Sequence, residues 1–257
     1  MTNAMDAVKE QRVISLTQQL VRINSEYSEE GVHEHYKITN FLKDHYESLG
    51  MEVHYAEPEK GFPVVVARLR GKIGKPVLAF IGHYNTVLIG DRSEWSVDPL
   101  GGEIKDGRIC GRGSGDMKNA IAATIEATTA VMESGTDLKG DLLHVWFAGE
   151  GHHHSALEYM AGAGRVYAGA EWYVDTDGDA NIAKVAGSMV WLQLRTRGRT
   201  GHTGLFLGDG SKPVNAISKM VRLLSRIEQV DQWMTYRTHP LFGKPWRYST
   251  KPNRGNR

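Results

Sequence analysis

An apolar run, Pro76-Val77-Leu78-Ala79-Phe80-Ile81, ends in Gly82-His83, and a later glycine-rich turn, Gly111-Arg112-Gly113-Ser114-Gly115, delivers Asp116 to the start of a helical pattern. A buried strand closed by a histidine and a helix opened by an aspartate leave few architectures open. In α/β folds the loops at the carboxyl ends of the strands face the ligand crevice. A His and an Asp brought to neighbouring strand ends are two arms of a metal site.

The surrounding pattern supports an α/β core. Val8, Val13, Ile14, Leu16, Leu20, Val21 and Ile23 recur at helical spacing and predict an amphipathic helix over Asp6 to Asn24. A second helix is expected from Glu34 to Leu49, with Gly50 where a helix C-terminus favours glycine. Met51 to Tyr55, Val64 to Leu69, Val77 to Gly82 and Leu142 to Ala148 read as strands, and Asp116 to Met132 as a helix buried against a sheet. Strands alternating with helices imply a three-layer α/β core. After about Ala183 the pattern changes. Met189 to Arg197 alternates as a half-buried strand and Pro213 to Val230 as an amphipathic helix, the opening of a small α+β domain. The expected division is 1–184 and 185–257.

Composition narrows the function classes. Of 257 residues, 40% are hydrophobic and the net charge is +1, so no nucleic-acid or membrane-surface partner is indicated. Cys110 is the only cysteine, which rules out an intrachain disulfide and suggests a reducing compartment. Met1 to Arg12 lacks the apolar stretch of a signal peptide, and no run reaches membrane-spanning length. A cytoplasmic protein acting on a small molecule is expected.

Each candidate residue has a plain reading beside the chemical one. His83 is either a ligand or a histidine bonded to nearby backbone, and Asn85, two residues on, is placed to accept from its other ring nitrogen. Asp116 is either a ligand or a helix N-cap. The Gly-Arg-Gly-Ser-Gly turn lacks the Gly-Lys-Ser/Thr ending of a nucleotide loop. Glu150, after a buried strand, is a general-base candidate or a solvated loop residue. His152-His153-His154 cannot all face one metal from a strand or a helix; one or two could, and a surface loop is the other reading. Asp175, Asp177 and Asp179 offer oxygen ligands or form an acidic turn.

Several motifs in fixed order carry a specific resemblance. They are Gly82-His83-x-x-Thr86-Val87, Trp95 before Asp98-Pro99-Leu100-Gly101, Asp106-Gly107 before Gly111-Arg112-Gly113, Asp116-Met117-Lys118, and Gly201-His202-Thr203 before Asn215-Ala216-Ile217. From about Leu16 to Gly243 the chain resembles the zinc-dependent aminoacylase and carboxypeptidase family, which includes acetylornithine deacetylase, succinyl-diaminopimelate desuccinylase and glutamate carboxypeptidase. The resemblance implies a three-layer α/β catalytic domain followed by the start of a small α+β lid domain that mediates homodimerisation. It implies that His83 binds one metal, that Asp116 bridges two, and that Asp177 completes the first metal's set. Glu150 falls on the general base. His202 falls on a lid histidine that stabilises the oxyanion in a neighbouring subunit. It also implies a cis peptide between Asp116 and Met117.

The chain departs from that pattern in one sector. The family's His-x-Asp is here His83-Tyr84-Asn85, its Glu-Glu pair is Glu150-Gly151, and its last histidine ligand would lie beyond Arg257. The first metal's ligands are present while the second metal's private ligands are missing. One divalent ion per chain, Zn, Mn or Co, is therefore expected, held by His83, Asp116 and Asp177. The implied activity is hydrolysis of a C–N bond, most often the amide of an N-acyl amino acid or small peptide. Two alternatives stand beside it. One is an aromatic-amine hydrolase of the nitroanthranilate aminohydrolase type, with Tyr84, Trp172 and Trp191 as candidates to line the pocket, though Trp191 reads first as a core residue. The other is an inactive or truncated relative that acts by pairing with another subunit.

Overall fold

The computed structural model describes residues 3–27, 35–148, 170–177, 193–201 and 213–234. The chain divides into two compact units, Met1–Ala180 and Asn181–Arg257.

The first unit is built on a mixed five-stranded sheet. Its strands are β1 (Glu52–Glu59), β2 (Phe62–Leu69), β3 (Pro76–His83), β6 (Asp141–Phe147) and β7 (Trp172–Asp175), in the order β1-β2-β6-β3-β7. A small separate hairpin pairs β4 (Ile104–Lys105) with β5 (Arg108–Ile109). β1 and β2 form a hairpin, β2 runs antiparallel to β6, and β3 runs parallel to both β6 and β7. Among the described residues three helices accompany the sheet: α1 (Glu10–Arg22), α2 (His35–Ser48) and α3 (Lys118–Glu133).

Alternation along the strands sorts the side chains onto two faces. Val65 and Ala67 of β2 and Trp146 of β6 join Leu16, Leu20, Ile38, Leu42, Ile121 and Ile125 from the helices in one buried cluster. Val64, Val66, Ala79, Leu143, Val145 and Phe147 form a second cluster on the opposite face. The helices thus supply one outer layer of the expected α/β arrangement; among the described residues no helix contributes to the second cluster.

Polar contacts pin the ends of these elements. Helix α2 stops in a Schellman arrangement. Gly50, at φ +77°, has its N–H on the Glu47 carbonyl at 2.9 Å, and Met51 N–H reaches the Tyr46 carbonyl at 3.1 Å. At the start of β6, the buried Asp141 carboxylate accepts from Arg68 Nε at 2.6 Å and from Gly71 N–H at 2.7 Å. Burial alone raises a carboxyl pKa, but here the Gly71 N–H and the Arg68 and Arg70 charges outweigh it and hold Asp141 lowered.

In the second unit the described elements are the helix α4 (Ala216–Met234) and an isolated bridge between Arg199 and Val214. Asn215 caps α4, its side chain accepting from Ser218 N–H at 3.1 Å. Residues 193–197, expected at the end of a strand, carry no strand pairing; 189–192 lie outside the described residues. Ile217, Val221 and Leu224 stand exposed at helical spacing along α4. No described helix is long and apolar enough to cross a membrane.

Candidate metal centre

Three elements of the first unit place the candidate ligands. His83 closes β3, Asp177 follows β7 by two residues, and Asp116 lies just before α3. β3 and β7 are parallel neighbours in register from Leu78↔Trp172 to Ile81↔Asp175, so their carboxyl ends emerge side by side. Thr176 locks the turn after β7 onto β3: its N–H and its hydroxyl both donate to the Ile81 carbonyl at 3.0 Å.

Gly82 lets the third element approach. A Cβ at Gly82 would collide with the Met117 side chain, which packs there, buried to 1% exposure, with its sulfur accepting from His83 N–H at 3.1 Å. The Asp116–Met117 peptide is cis. Helix α3 takes Met117, not Asp116, as its N-cap, and no side chain caps it. The capping role considered for Asp116 is therefore not the one it plays. Its side chain stays 79% exposed and faces His83.

The imidazole sits in a one-sided environment. His83 is 4% exposed. Its Nδ1 lies 2.9 Å from the main-chain carbonyl of Asn85. A carbonyl only accepts, so Nδ1 carries a proton, and in the neutral ring Nε2 keeps its lone pair. Nε2 is buried and has no hydrogen-bond partner among the described residues. Asp116 Oδ1 stands 3.2 Å from it and Asp177 Oδ2 3.5 Å, near enough for ion pairing with a protonated ring but not aligned as hydrogen bonds. Ligand atoms of the three residues lie within 4.8 Å of one another. Burial raises the Asp177 pKa; the neighbouring His83 opposes this, and the Asp116 and Asp175 charges add to it.

These spacings suit a divalent cation. Ligand atoms about 2.0–2.2 Å from one ion at tetrahedral angles stand roughly 3.3–3.6 Å apart. An unspent imidazole nitrogen between two carboxylate oxygens is a donor set of the His-and-carboxylate kind that Zn, Mn and Co accept. The adjoining cleft, about 270 Å³, is bordered by His83, Asn85, Thr86, Gly113 and Asp116. A cavity of about 330 Å³ near Leu69 and Leu138 contains no such set. The cations on its wall, Arg70 and Lys72, are paired with Glu52 and Asp137.

Other sequence expectations land elsewhere. Asn85 meets His83 through its main chain rather than its amide. Tyr84 does not line the cleft: it is fully buried, donates to the Pro63 carbonyl at 2.6 Å and packs edge-on against His35. Trp172 is 69% exposed at the start of β7, where it pairs with Leu78, the far end of the strand from Asp175. Glu150, the three histidines 152–154, Asp179, Trp191 and His202 lie outside the described residues.

Two supports of the site have roles that no local sequence pattern announces. Lys118, buried to 1% exposure, donates to the Ile23 carbonyl at 2.8 Å, and burial pushes its ammonium down to about 7. Ser25, fully buried, donates to the Tyr84 carbonyl at 2.7 Å. Both tie the segment after α1 to the loops around His83.

The chain is similar to proteins of known kind. It is 40% identical over 89 residues to a succinyl-diaminopimelate desuccinylase of Rhodospirillum centenum, a match covering 34% of this chain and 23% of that protein. It is 25% identical over 224 residues to the N-formyl-4-amino-5-aminomethyl-2-methylpyrimidine deformylase of Bacillus subtilis, covering 84% of this chain and 52% of that one. The crystal structure of human carnosine dipeptidase 1 shares the fold, with a TM-score of 0.60 at 20% identity over 84% of this chain and 49% of that chain. The chain spans about half, or less, of the length of these relatives. The signature of one family runs over residues 79–241, more than half of the sequence and across all three candidate ligands, and on that signature the chain belongs to peptidase family M20/M25/M40.

Proposed function

We propose that this chain carries the metal-binding part of a hydrolase that cleaves C–N bonds in small N-acyl compounds. The observation that carries the reading is the buried Nε2 of His83, unpartnered and 3.2 and 3.5 Å from two carboxylate oxygens. A buried polar atom without a partner costs about 1–3 kcal/mol, and a cation among these three groups removes that cost and the mutual repulsion of the carboxylates. Family membership supports the reaction class. So do the two relatives, one named for removing a succinyl group and the other a formyl group.

In this reading His83, Asp116 and Asp177 hold one Zn, Mn or Co ion. The ion supplies Lewis acidity for the substrate carbonyl and for water. Asn85 orients the imidazole through its carbonyl. Glu150 takes the proton of the attacking water and returns it to the leaving nitrogen. His202, from the second subunit of a homodimer joined through the 185–257 region, steadies the developing oxyanion.

Turnover of a panel of N-acyl amino acids by the metal-loaded protein, alongside metal content, tests this reading. Glu150→Gln is expected to keep the metal and lose roughly 10²–10⁴-fold in rate. Loss of the metal in that variant would make Glu150 a ligand instead. A loaded parent protein with no turnover on any amide would leave a metal-binding relative without hydrolysis.

A further inference from the structure

We infer that Ser25 is a positioning residue for the His83 centre, holding two successive peptide planes so that the Asn85 carbonyl fixes the imidazole with Nε2 toward Asp116 and Asp177. This rests on the metal reading above and adds the device that aims its one nitrogen ligand among the described residues.

The geometry works through the planarity of the peptide bond. In a trans peptide the C=O of one residue and the N–H of the next point in opposite directions. The N–H of Thr86 donates to the Ser25 carbonyl at 2.9 Å. The Asn85 carbonyl, in the same plane, must then point away from Ser25, and it meets His83 Nδ1 at 2.9 Å. The preceding plane is held by the same residue, because the Ser25 hydroxyl donates to the Tyr84 carbonyl at 2.7 Å. Ser25 therefore grips the segment twice, by side chain and by main chain.

Bonds on either side leave the segment little freedom to turn. Tyr84 N–H donates to the Phe147 carbonyl at 3.0 Å, tying the segment to the end of β6. Tyr27 N–H donates to the Thr86 carbonyl at 2.9 Å. The Tyr84 hydroxyl is fixed on Pro63 at 2.6 Å. Lys118 anchors the Ile23 carbonyl at 2.8 Å, so the stretch that carries Ser25 is itself tied to the start of α3. Ser25, Thr86 and His83 are each no more than 4% exposed, so water is a poor substitute for any of these bonds.

In this arrangement position 85 orients the histidine by its backbone. The sequence of its side chain is then a weak determinant of imidazole orientation, while a serine sixty residues earlier in the chain is a strong one.

The test is nitrogen NMR of the His83 ring in the metal-free protein at about pH 8, above the ordinary imidazole range, with metal affinity measured in parallel. The parent and Asn85→Ala, which keeps the carbonyl, are expected to show a proton on Nδ1 only. Ser25→Ala is expected to show a mixture of tautomers and to bind the metal about tenfold more weakly, within the range for groups that orient a ligand. Ser25→Cys, a weak donor of similar size, is expected to fall between and carries the comparison if the alanine variant does not fold. A proton on Nε2 in the parent, or unchanged tautomer and affinity in the folded Ser25 variants, overturns the inference. Metal binding undiminished in His83→Ala would instead overturn the metal reading itself.

Discussion

Two buried histidines on adjacent strands show how differently the same side chain is used in this protein. β3 and β6 pair in parallel, with Phe80 beside His144 and His83 beside Phe147. His83 is 4% exposed and His144 fully buried. Around His144 every polar group is spent. Trp146 Nε1 donates to the Tyr46 hydroxyl at 2.5 Å, so that hydroxyl donates onward to His144 Nδ1 at 2.9 Å. His144 must then carry its proton on Nε2, which lies 2.9 Å from the Thr128 hydroxyl. Around His83 the order is reversed. Nδ1 holds the proton and is satisfied by backbone, and Nε2 is left open between two carboxylates. The two rings are held in opposite tautomers by their neighbours. A closed network specifies a core, while an open nitrogen beside carboxylates is a place for chemistry.

The largest expected contrast is in stability. His144→Ala removes the ring and strands the hydroxyls of Tyr46 and Thr128. Cavity and unpaired groups together are expected to cost roughly 3–5 kcal/mol in urea unfolding. His83→Ala, beside an open cleft, is expected to cost about 1 kcal/mol. Equal losses would mean that His83 is as structural as His144.

A smaller contrast lies in pH dependence. Burial pushes the His144 imidazole down to about 3, below its ordinary value of about 6.5 in the unfolded chain. The unfolded state then binds the extra proton first as pH falls. The contribution of neutral His144 is complete above about pH 6.5, declines below it, and is exhausted near pH 3. Stability is expected to drop by about 2 kcal/mol between about pH 6.5 and 5 from this group. The lowered Asp141 carboxyl adds its loss only at more acid pH. Thermal unfolding of the parent and of His144→Leu across that window checks the assignment: the leucine variant is expected to show a flatter slope, and an identical slope would move the acid sensitivity to other groups.

The fold was largely legible because its signals are local. The apolar periodicity of α1 (Glu10–Arg22), the glycine stop after Ser48, and the apolar strand ending at His83 each lie within a few residues of one another. The 189–197 stretch shows the limit. Alternating residues look like a strand, but pairing depends on partners, and residues 193–197 have none among the described elements.

At the candidate site, strand-end and glycine-turn motifs mark His83 and Asp116, while the family resemblance singles out Asp177 from its acidic neighbours, and the structure brings ligand atoms of the three within 4.8 Å of one another. Their supports were not legible. The side chains of Ser25, Lys118 and Thr176 each bond a carbonyl far away in the chain, and such contacts leave no spacing pattern, even where Lys118 belongs to a recognisable motif. Asn85 was read by its side chain, whereas its contact with His83 is a backbone group that every residue type possesses.

The central claim is that His83, Asp116 and Asp177 hold a single divalent ion, and calorimetric titration of the metal-stripped 257-residue chain with Zn, Mn and Co addresses it most directly. One ion per chain is expected, with affinity falling more than about 100-fold in His83→Ala and in Asp177→Asn, beyond the range of groups outside the ligand set. Two tightly bound ions per chain, or full affinity in either variant, would contradict it.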